Sequence, residues 1–341
     1  MSADYTVLLN RVVDGGTLDA DASAKMFGAI MEGRVHEGLL AAFLTAQSLR
    51  GPTIEEITGA ARAMRAAMLT VDAPAMAIDL CGTGGDGLGT LNISTAVSFV
   101  AAACGVPVAK HGNRSASSKS GAADVLEKLG VKIDLTPEAA AACLHEIGLC
   151  FLFAQTYHPA MKHVAAVRRA LGFRTIFNLL GPLSNPARVK RQLMGVYAKE
   201  WIEPLAHVLA ALGAEKAWVV HGHDGLDELS TTDITHVAEV DNGVVTMRTV
   251  SPEDARISRA SLDDLEGGDA EENANAILRL FAGALGPYRD IVLLNTAGAL
   301  VVAGKASNLG QGANLAAEAI ASGAARRKLQ KLIALSNGSA A

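Results

Sequence analysis

Five glycines fall within the eight residues Gly82–Gly89 of this 341-residue chain. The full segment reads Gly82-Thr83-Gly84-Gly85-Asp86-Gly87-Leu88-Gly89-Thr90-Leu91-Asn92-Ile93-Ser94-Thr95. It lies between the apolar runs Ala77–Cys81 and Ser98–Cys104, which predicts strand, glycine loop and helix. Glycine lets the backbone approach a ligand and adopt positive φ without steric cost. A helix start adds unpaired N–H groups and the positive end of a dipole. The combination is an anion site, most simply for phosphate or pyrophosphate.

Two commoner glycine motifs do not fit. Gly82, Gly84 and Gly87 satisfy G-x-G-x-x-G, but the helix cannot open before Asn92 or Ser94. The next strand, Val106-Pro107-Val108-Ala109, runs into Lys110, where a dinucleotide fold needs a ribose-binding acid. Leu88 follows Gly87 where a Walker loop requires lysine.

The formal charge of -5 gives no general pull toward nucleic acid or anionic lipid, so local cations must hold any phosphate. Hydrophobic residues at 50% against 19% charged are ample for a buried core. Cys81, Cys104, Cys143 and Cys150 form no C-x-x-C pair and read as buried reduced thiols. No signal peptide or membrane-spanning run stands out, and a cytoplasmic protein is the expectation.

The first 72 residues are expected to form a helical unit. Leu8, Val12 and Val13 mark one helix, Glu37–Arg50 a second, and a Thr53/Glu56 capping box opens a third toward Met68. From residue 73 the pattern becomes that of an α/β domain with a mainly parallel sheet. Its strands are expected at Ala77–Cys81, Val106–Ala109, Val131–Leu135, Cys150–Ala154, Gln192–Tyr197 and Ala217–His221. Helices are expected after Thr136, over Trp201–Leu212, Glu271–Leu285 and Ala313–Leu335, with a hairpin turning at Asp241-Asn242-Gly243.

In a parallel pair, the loops after Cys81 and Ala109 share one sheet edge. The second loop, Lys110-His111-Gly112-Asn113-Arg114-Ser115-Ala116-Ser117-Ser118-Lys119-Ser120-Gly121, brings three cations and four serine hydroxyls. A phosphate ester requires such donors. Asp227-Glu228 closes another predicted strand, and adjacent carboxylates beside a pyrophosphate suit Mg²⁺. His221 and His223 have no third soft ligand nearby and read as loop and packing residues. Arg168-Arg169 either answers a helix dipole or binds a carboxylate; the residues alone leave both open.

These stretches, GTGGD at Gly82–Asp86, NIST at Asn92–Thr95, KHGNRSASS at Lys110–Ser118, Arg168–Pro186 and GLDELS at Gly225–Ser230, resemble in order the anthranilate phosphoribosyltransferases of tryptophan biosynthesis. The resemblance spans essentially the whole chain. It implies a nucleoside-phosphorylase-like fold, transfer of phosphoribosyl from 5-phosphoribosyl 1-diphosphate to anthranilate, and release of diphosphate. It implies donor binding by Gly82, Gly85, Asp86, Thr90, Asn92, Ile93, Ser94, Thr95, Lys110, His111, Gly112, Asn113, Arg114, Ser115, Ala116, Ser117, Ser118 and Ala122. Gly82, Asn113 and Arg168 would contact anthranilate, while Ser94, Asp227 and Glu228 would hold Mg²⁺. Lys110, Asp227 and Glu228 would act electrostatically, with no residue serving as acid or base. A homodimer through the helical domain is implied, and the helical domain would be rejoined by about residues 165–190. A pyrimidine nucleoside phosphorylase would leave the Asp227-Glu228 pair without a purpose. A non-catalytic nucleic-acid-binding relative should show a basic stripe, which the charge of -5 opposes.

Overall fold

The computed structural model describes residues 3–115 and 119–338. Four helices come first: α1 (Ala3–Val13), α2 (Ala20–Met31), α3 (Glu37–Arg50) and α4 (Ile54–Ala67). The α4 start is the expected reciprocal capping box, with Thr53 and Glu56 satisfying each other's backbone N–H. Glu56 is fully buried; it also accepts the Leu18 N–H and pairs with Arg50 at 2.6 Å, so one acid ties three segments together. The helix α2 was not anticipated from the sequence.

The chain then alternates through β1 (Ile78–Asp79), α5 (Ile93–Ala103), β2 (Val108–Gly112), α6 (Ala122–Lys128), α7 (Pro137–Ile147), β3 (Leu149–Phe153) and α8 (Ala154–Tyr157). Next come α9 (Lys162–Leu171), α10 (Phe177–Leu180), β4 (Arg191–Gly195), α11 (Ile202–Ala211), β5 (Lys216–Gly222), β6 (Thr235–Asp241) and β7 (Val244–Val250). Four helices close it: α12 (Ala270–Phe281), α13 (Pro287–Val302), α14 (Leu309–Ala321) and α15 (Ala324–Ser336).

The seven strands form one sheet in the order β3-β2-β1-β4-β5-β6-β7. The first five are parallel and the β6–β7 hairpin is antiparallel. That hairpin turns at Asn242 and Gly243, both at positive φ as a tight hairpin demands. The sheet winds outward from β1 in both directions, which opens a crevice at the carboxyl ends of β1 and β4.

Two apolar cores flank the sheet. One gathers α5, α7 and α12 to α15; the other joins α2 to α4 with α9, α10 and α11. The segment α9–α10 thus returns to the N-terminal helices, with α9 against α2 and α3 and α10 against α4.

Four expectations need correction. Residues 131–135 form no strand: Val131, Ile133 and Leu135 do alternate inward, but their backbone bonds go elsewhere. Lys132 N–H donates to Ser336 Oγ and Tyr157 OH donates to the Leu135 carbonyl. The run 313–335 is two helices, parted where Gly323 takes φ +72. The strand expected at 106–109 lies two residues later, so Lys110 and His111 are strand residues. Finally, β1 is only two residues long, because the Asp79 carboxylate takes the Leu80 N–H and the Lys110 ammonium takes the Leu80 carbonyl.

Helix α4 crosses α2 with Gly59 at the contact; a Cβ there would stand 2.2 Å from the Ala20 carbonyl oxygen. Alanine outranks glycine in an open helix, but here Gly59→Ala should destabilise by about 1–3 kcal/mol through overpacking. A lowered urea midpoint with unchanged m-value checks this.

Candidate active site

The loop Gly82–Gly89 leaves β1 with Gly84, Gly85, Gly87 and Gly89 all at positive φ, which explains the glycine density. Thr83 N–H donates to the Gly195 carbonyl at the end of β4, and Thr83 Oγ1 accepts the Tyr197 N–H. A Cβ on Gly82 would stand 3.1 Å from that carbonyl and 3.3 Å from Asp227 Oδ2, so Gly82 lies against the acidic pair. Asn92 sits at the N-cap of α5 without capping it. Its Oδ1 instead accepts from Asn273 Nδ2 at 2.8 Å and from Ser120 Oγ at 3.3 Å.

Lys110 is buried, and its ammonium donates to the Leu80 carbonyl at 2.8 Å and to Ser94 Oγ at 3.1 Å. The two loops therefore meet across one sheet edge, as the parallel pairing requires. Asp227, Glu228 and Ser94 converge with Gly82 and Asn295 on a cavity of about 10 Å³, the size of a single small occupant.

Burial pushes the Asp227 carboxyl well above the ordinary range, and the nearby Asp86 carboxylate pushes it further. Glu228 is raised by burial and then by Asp227, while Lys110 pulls it back. Desolvated carboxylates that repel one another beside a hydroxyl are hard oxygen donors, and a hard divalent cation suits them.

Arg168, in the last turn of α9, lies half-buried with its guanidinium 5.6 Å from the Phe177 ring centroid. Burial lowers its pKa, the mark of a cation removed from water without a compensating carboxylate. Of the twin arginines, this is the one placed to take an anion; Arg169 is exposed.

Other expected residues are placed differently. Arg114 spends its charge on Asp124 at 2.8 Å and Glu127 at 2.6 Å, away from Lys110. Ser115 N–H donates to Asp124 Oδ2. The Ile93 side chain packs in the core and its N–H donates to the Leu91 carbonyl. Thr95 is buried with its hydroxyl unbonded, and Thr90 bridges to Glu266. Gly112 and Ala122 pack together beneath the loop, where a Cβ on Gly112 would meet the Phe151 ring at 2.7 Å. Asn113 is exposed at the crevice, and Ala116, Ser117 and Ser118 lie outside the described residues.

His111 points to the other side of the sheet. It pairs through Nε2 with His158 Nε2 at 3.2 Å and is held neutral by burial, its pKa lowered to about 3. His221 donates from Nδ1 to the Val196 carbonyl, and His223 meets His236 edge-to-face at 5.9 Å between ring centroids, consistent with packing roles.

Four supports were not anticipated. Asn273 is buried and holds Asn92, Ser120 and the Gly268 N–H at once. Tyr288 OH donates to the Asn92 carbonyl. Asn295 bonds both backbone groups of Leu229, fixing the turn that carries Asp227 and Glu228. Arg174 donates to the Gly85 carbonyl and stacks 4.0 Å from the Tyr197 centroid. The one available signal was Asn295, a polar residue inside an apolar helical run.

The comparisons with known proteins agree with this geometry. Residues 6–68 match the profile described as "Glycosyl transferase family, helical bundle domain", and residues 74–326 match "Glycosyl transferase family, a/b domain". An anthranilate phosphoribosyltransferase of Parvibaculum lavamentivorans is 56% identical, over 98% of this chain and 98% of that relative. The chain belongs to the anthranilate phosphoribosyltransferase family. Among solved structures, the family's Thermus thermophilus enzyme superposes with a TM-score of 0.92 at 43% identity, covering 97% of this chain and 99% of that one. The family's Saccharomyces cerevisiae enzyme, solved in complex with PRPP and Mg, superposes with a TM-score of 0.90 at 28% identity, covering 99% of each chain. The family's fold, a helical domain plus an α/β domain with a mostly parallel sheet, is the one described above.

With no metal bound, the fold favours protonated Asp227 and Glu228, since both carboxyls sit above their unfolded values. Their contribution to stability is complete below the ordinary carboxylate range and is lost as pH climbs toward about 8. Metal-free protein should therefore lose more Tm between about pH 5 and about pH 8 than an Asp227→Asn/Glu228→Gln variant. Thermal scans of the two proteins in a chelating buffer measure the difference.

Proposed function

We propose that this chain transfers the phosphoribosyl group of 5-phosphoribosyl 1-diphosphate to the amine of anthranilate. The products are N-(5-phosphoribosyl)anthranilate and diphosphate, and the step belongs to tryptophan biosynthesis. The observation that carries this reading is the charge arrangement at the crevice. Asp227 and Glu228 are desolvated and crowded, with Asp86 of the glycine loop repelling both, and the buried Lys110 ammonium lies near enough to pull Glu228 back. Mutually repelling carboxylates invite a divalent cation, and a lysine and open backbone N–H groups invite the anion that comes with it.

Ser94, Asp227 and Glu228 would hold Mg²⁺, which when bound neutralises the departing diphosphate. Breaking the C1–O bond leaves positive charge on the ribose and negative charge on the leaving group. Lys110, held by the Leu80 carbonyl, stands ready to stabilise that negative charge without reorganising. The glycine loop, Asn92 and the 110–118 loop bind and orient the donor. Arg168 takes the anthranilate carboxylate, with Gly82 and Asn113 lining the path of the amine. An aromatic amine is neutral at pH 7, so no strong base is needed before attack, and the rate rests on orientation and electrostatics.

The working unit is a homodimer through the helical domain. Val7, Val13 and Leu49, at 65%, 55% and 86% exposure, put apolar surface on α1 and α3 for a second copy to cover. We divide the chain into a helical domain of residues 1–72, rejoined by about 165–190, and an α/β domain of residues 73–341; the packing of α9 and α10 on α2 to α4 supports this. The cytoplasm is the place of work, in keeping with four free cysteines. No helix among the described residues is long and apolar enough to cross a membrane.

Mixing the protein with Mg²⁺, the donor and anthranilate should quench anthranilate fluorescence; no loss at high protein concentration would overturn the reading. Arg168→Ala should raise the KM for anthranilate through loss of a charge-assisted contact worth roughly 1.5–3 kcal/mol, with the donor KM little changed. An unchanged anthranilate KM removes Arg168 from the site. Asp227→Asn with Glu228→Gln should shift the Mg²⁺ titration of activity to higher concentration, and an unaltered titration refutes the metal assignment.

A further inference from the structure

Asparagine is among the residues preferred at a helix N-cap, where its side-chain oxygen accepts from the first N–H groups. Asn92 stands in that position before α5 and makes no such bond. Its Oδ1 is taken instead by Asn273 Nδ2 at 2.8 Å and by Ser120 Oγ at 3.3 Å. Asn273 lies near the start of α12 and is buried. A distant helix thus draws off the oxygen that would otherwise close the start of α5.

The polarity of this network follows from one group whose direction is not open. A backbone N–H can only donate, so the Gly268 N–H fixes Asn273 Oδ1 as its acceptor, at 2.8 Å. The Asn273 amide therefore turns Nδ2 toward Asn92 and Ser120, 2.8 Å from each acceptor. That nitrogen only donates, so Asn92 must offer it Oδ1. Asn92 Nδ2 is left on the other branch of its amide, with no hydrogen-bond partner among the described residues. The reference N–H is itself anchored beside Asn92. Gly267 N–H donates to the Gly89 carbonyl and Leu91 N–H to the Leu265 carbonyl, each at 2.9 Å. A Cβ on Gly267 would stand 2.6 Å from the Thr90 carbonyl oxygen, so only glycine allows this approach. Tyr288 OH holds the Asn92 carbonyl at 3.2 Å.

We propose that Asn273 is a positioning residue for the phosphoribosyl donor: it fixes the Asn92 amide with Oδ1 against α12 and Nδ2 free to donate to a phosphate oxygen. This rests on the donor-binding role given to Asn92 above. An amide oxygen turned the other way would face the donor's anionic groups and repel them, whereas an amide N–H₂ makes a charge-assisted hydrogen bond. Asn273 acts through Asn92 and need not touch the donor. Asn273→Asp exchanges a donor for an acceptor at constant shape. The new carboxylate still accepts the Gly268 N–H, but from Asn92 it can only accept, so the Asn92 amide flips and turns Oδ1 toward the phosphate.

Steady-state kinetics of the full-length protein with Mg²⁺ test this. Asn273→Asp should raise the KM for 5-phosphoribosyl 1-diphosphate by about 10–100-fold, as loss of a hydrogen bond to a charged group does, and the anthranilate KM by less than about twofold. An Asn92→Ala background separates the amide flip from the added charge. There Asn273→Asp should cost less than about threefold, because residues acting through one contact are not additive. A full loss in that background would overturn the proposal. Asn273→Ala releases Asn92 without reversing it, so it should weaken donor use in the same direction but less, and it serves if the aspartate variant does not fold. An unchanged donor KM in either folded variant would also overturn the proposal. Calorimetric titration of the donor with Mg²⁺, without anthranilate, keeps this apart from the proposed function. No donor binding by the wild-type protein would sink both, whereas equal binding by the wild type and Asn273→Asp would sink the positioning role alone.

Discussion

The parallel sheet reverses its winding at β1, and the site depends on that single constraint. Strands β2 and β3 lie to one side of β1 and β4 and β5 to the other. Connections on opposite sides leave the carboxyl end of β1 uncovered. Into that gap fall the glycine loop, the end of β4 and, one strand further, the turn bearing Asp227 and Glu228. Each comes from a different part of the chain and none approaches another in sequence. Even the shortness of β1 belongs to this arrangement. Leu80 gives its N–H to Asp79 and its carbonyl to Lys110, so the ladder ends where the site begins.

Charge is then distributed by strand alternation. Lys110 and His111 are neighbours, yet they serve opposite faces of the sheet. The ammonium joins Ser94 and the raised carboxyl of Glu228 on the catalytic side. The imidazole joins Asp79, Cys81 and His158 on the other. A one-residue slip of β2 would exchange the two environments and bury a lysine where a neutral imidazole now sits. Register is thus a condition of function as well as of packing.

Much of this was legible in the residues. The capping box at Thr53, the helix α3, the N-cap at Thr136 and the Asn242-Gly243 turn are local devices whose effect needs no distant partner. The late start of α5 and the meeting of the two loops followed from loop chemistry and parallel pairing. Residues 131–135 show the limit: inward alternation is necessary for a strand, but a ladder also needs a partner, and Ser336 and Tyr157 took the backbone bonds instead. Arg114 shows another. Its charge looked available in a basic loop, but α6 supplies Asp124 and Glu127 to claim it.

The sequence by itself determined the kind of ligand: a dense glycine loop, a cationic loop and an acidic pair specify a phosphate ester and a hard metal by chemistry alone. Only the tertiary structure decided how those groups are held and which cations remain free to act. Asn273, Asn295, Tyr288 and Arg174 bond loops that are distant in sequence. Arg168 lies half-buried with burial lowering its pKa, whereas Arg169 beside it faces solvent. The reason is physical. Residue type fixes what a side chain is able to bind, but burial and the partners brought by other elements set whether its charge is already satisfied.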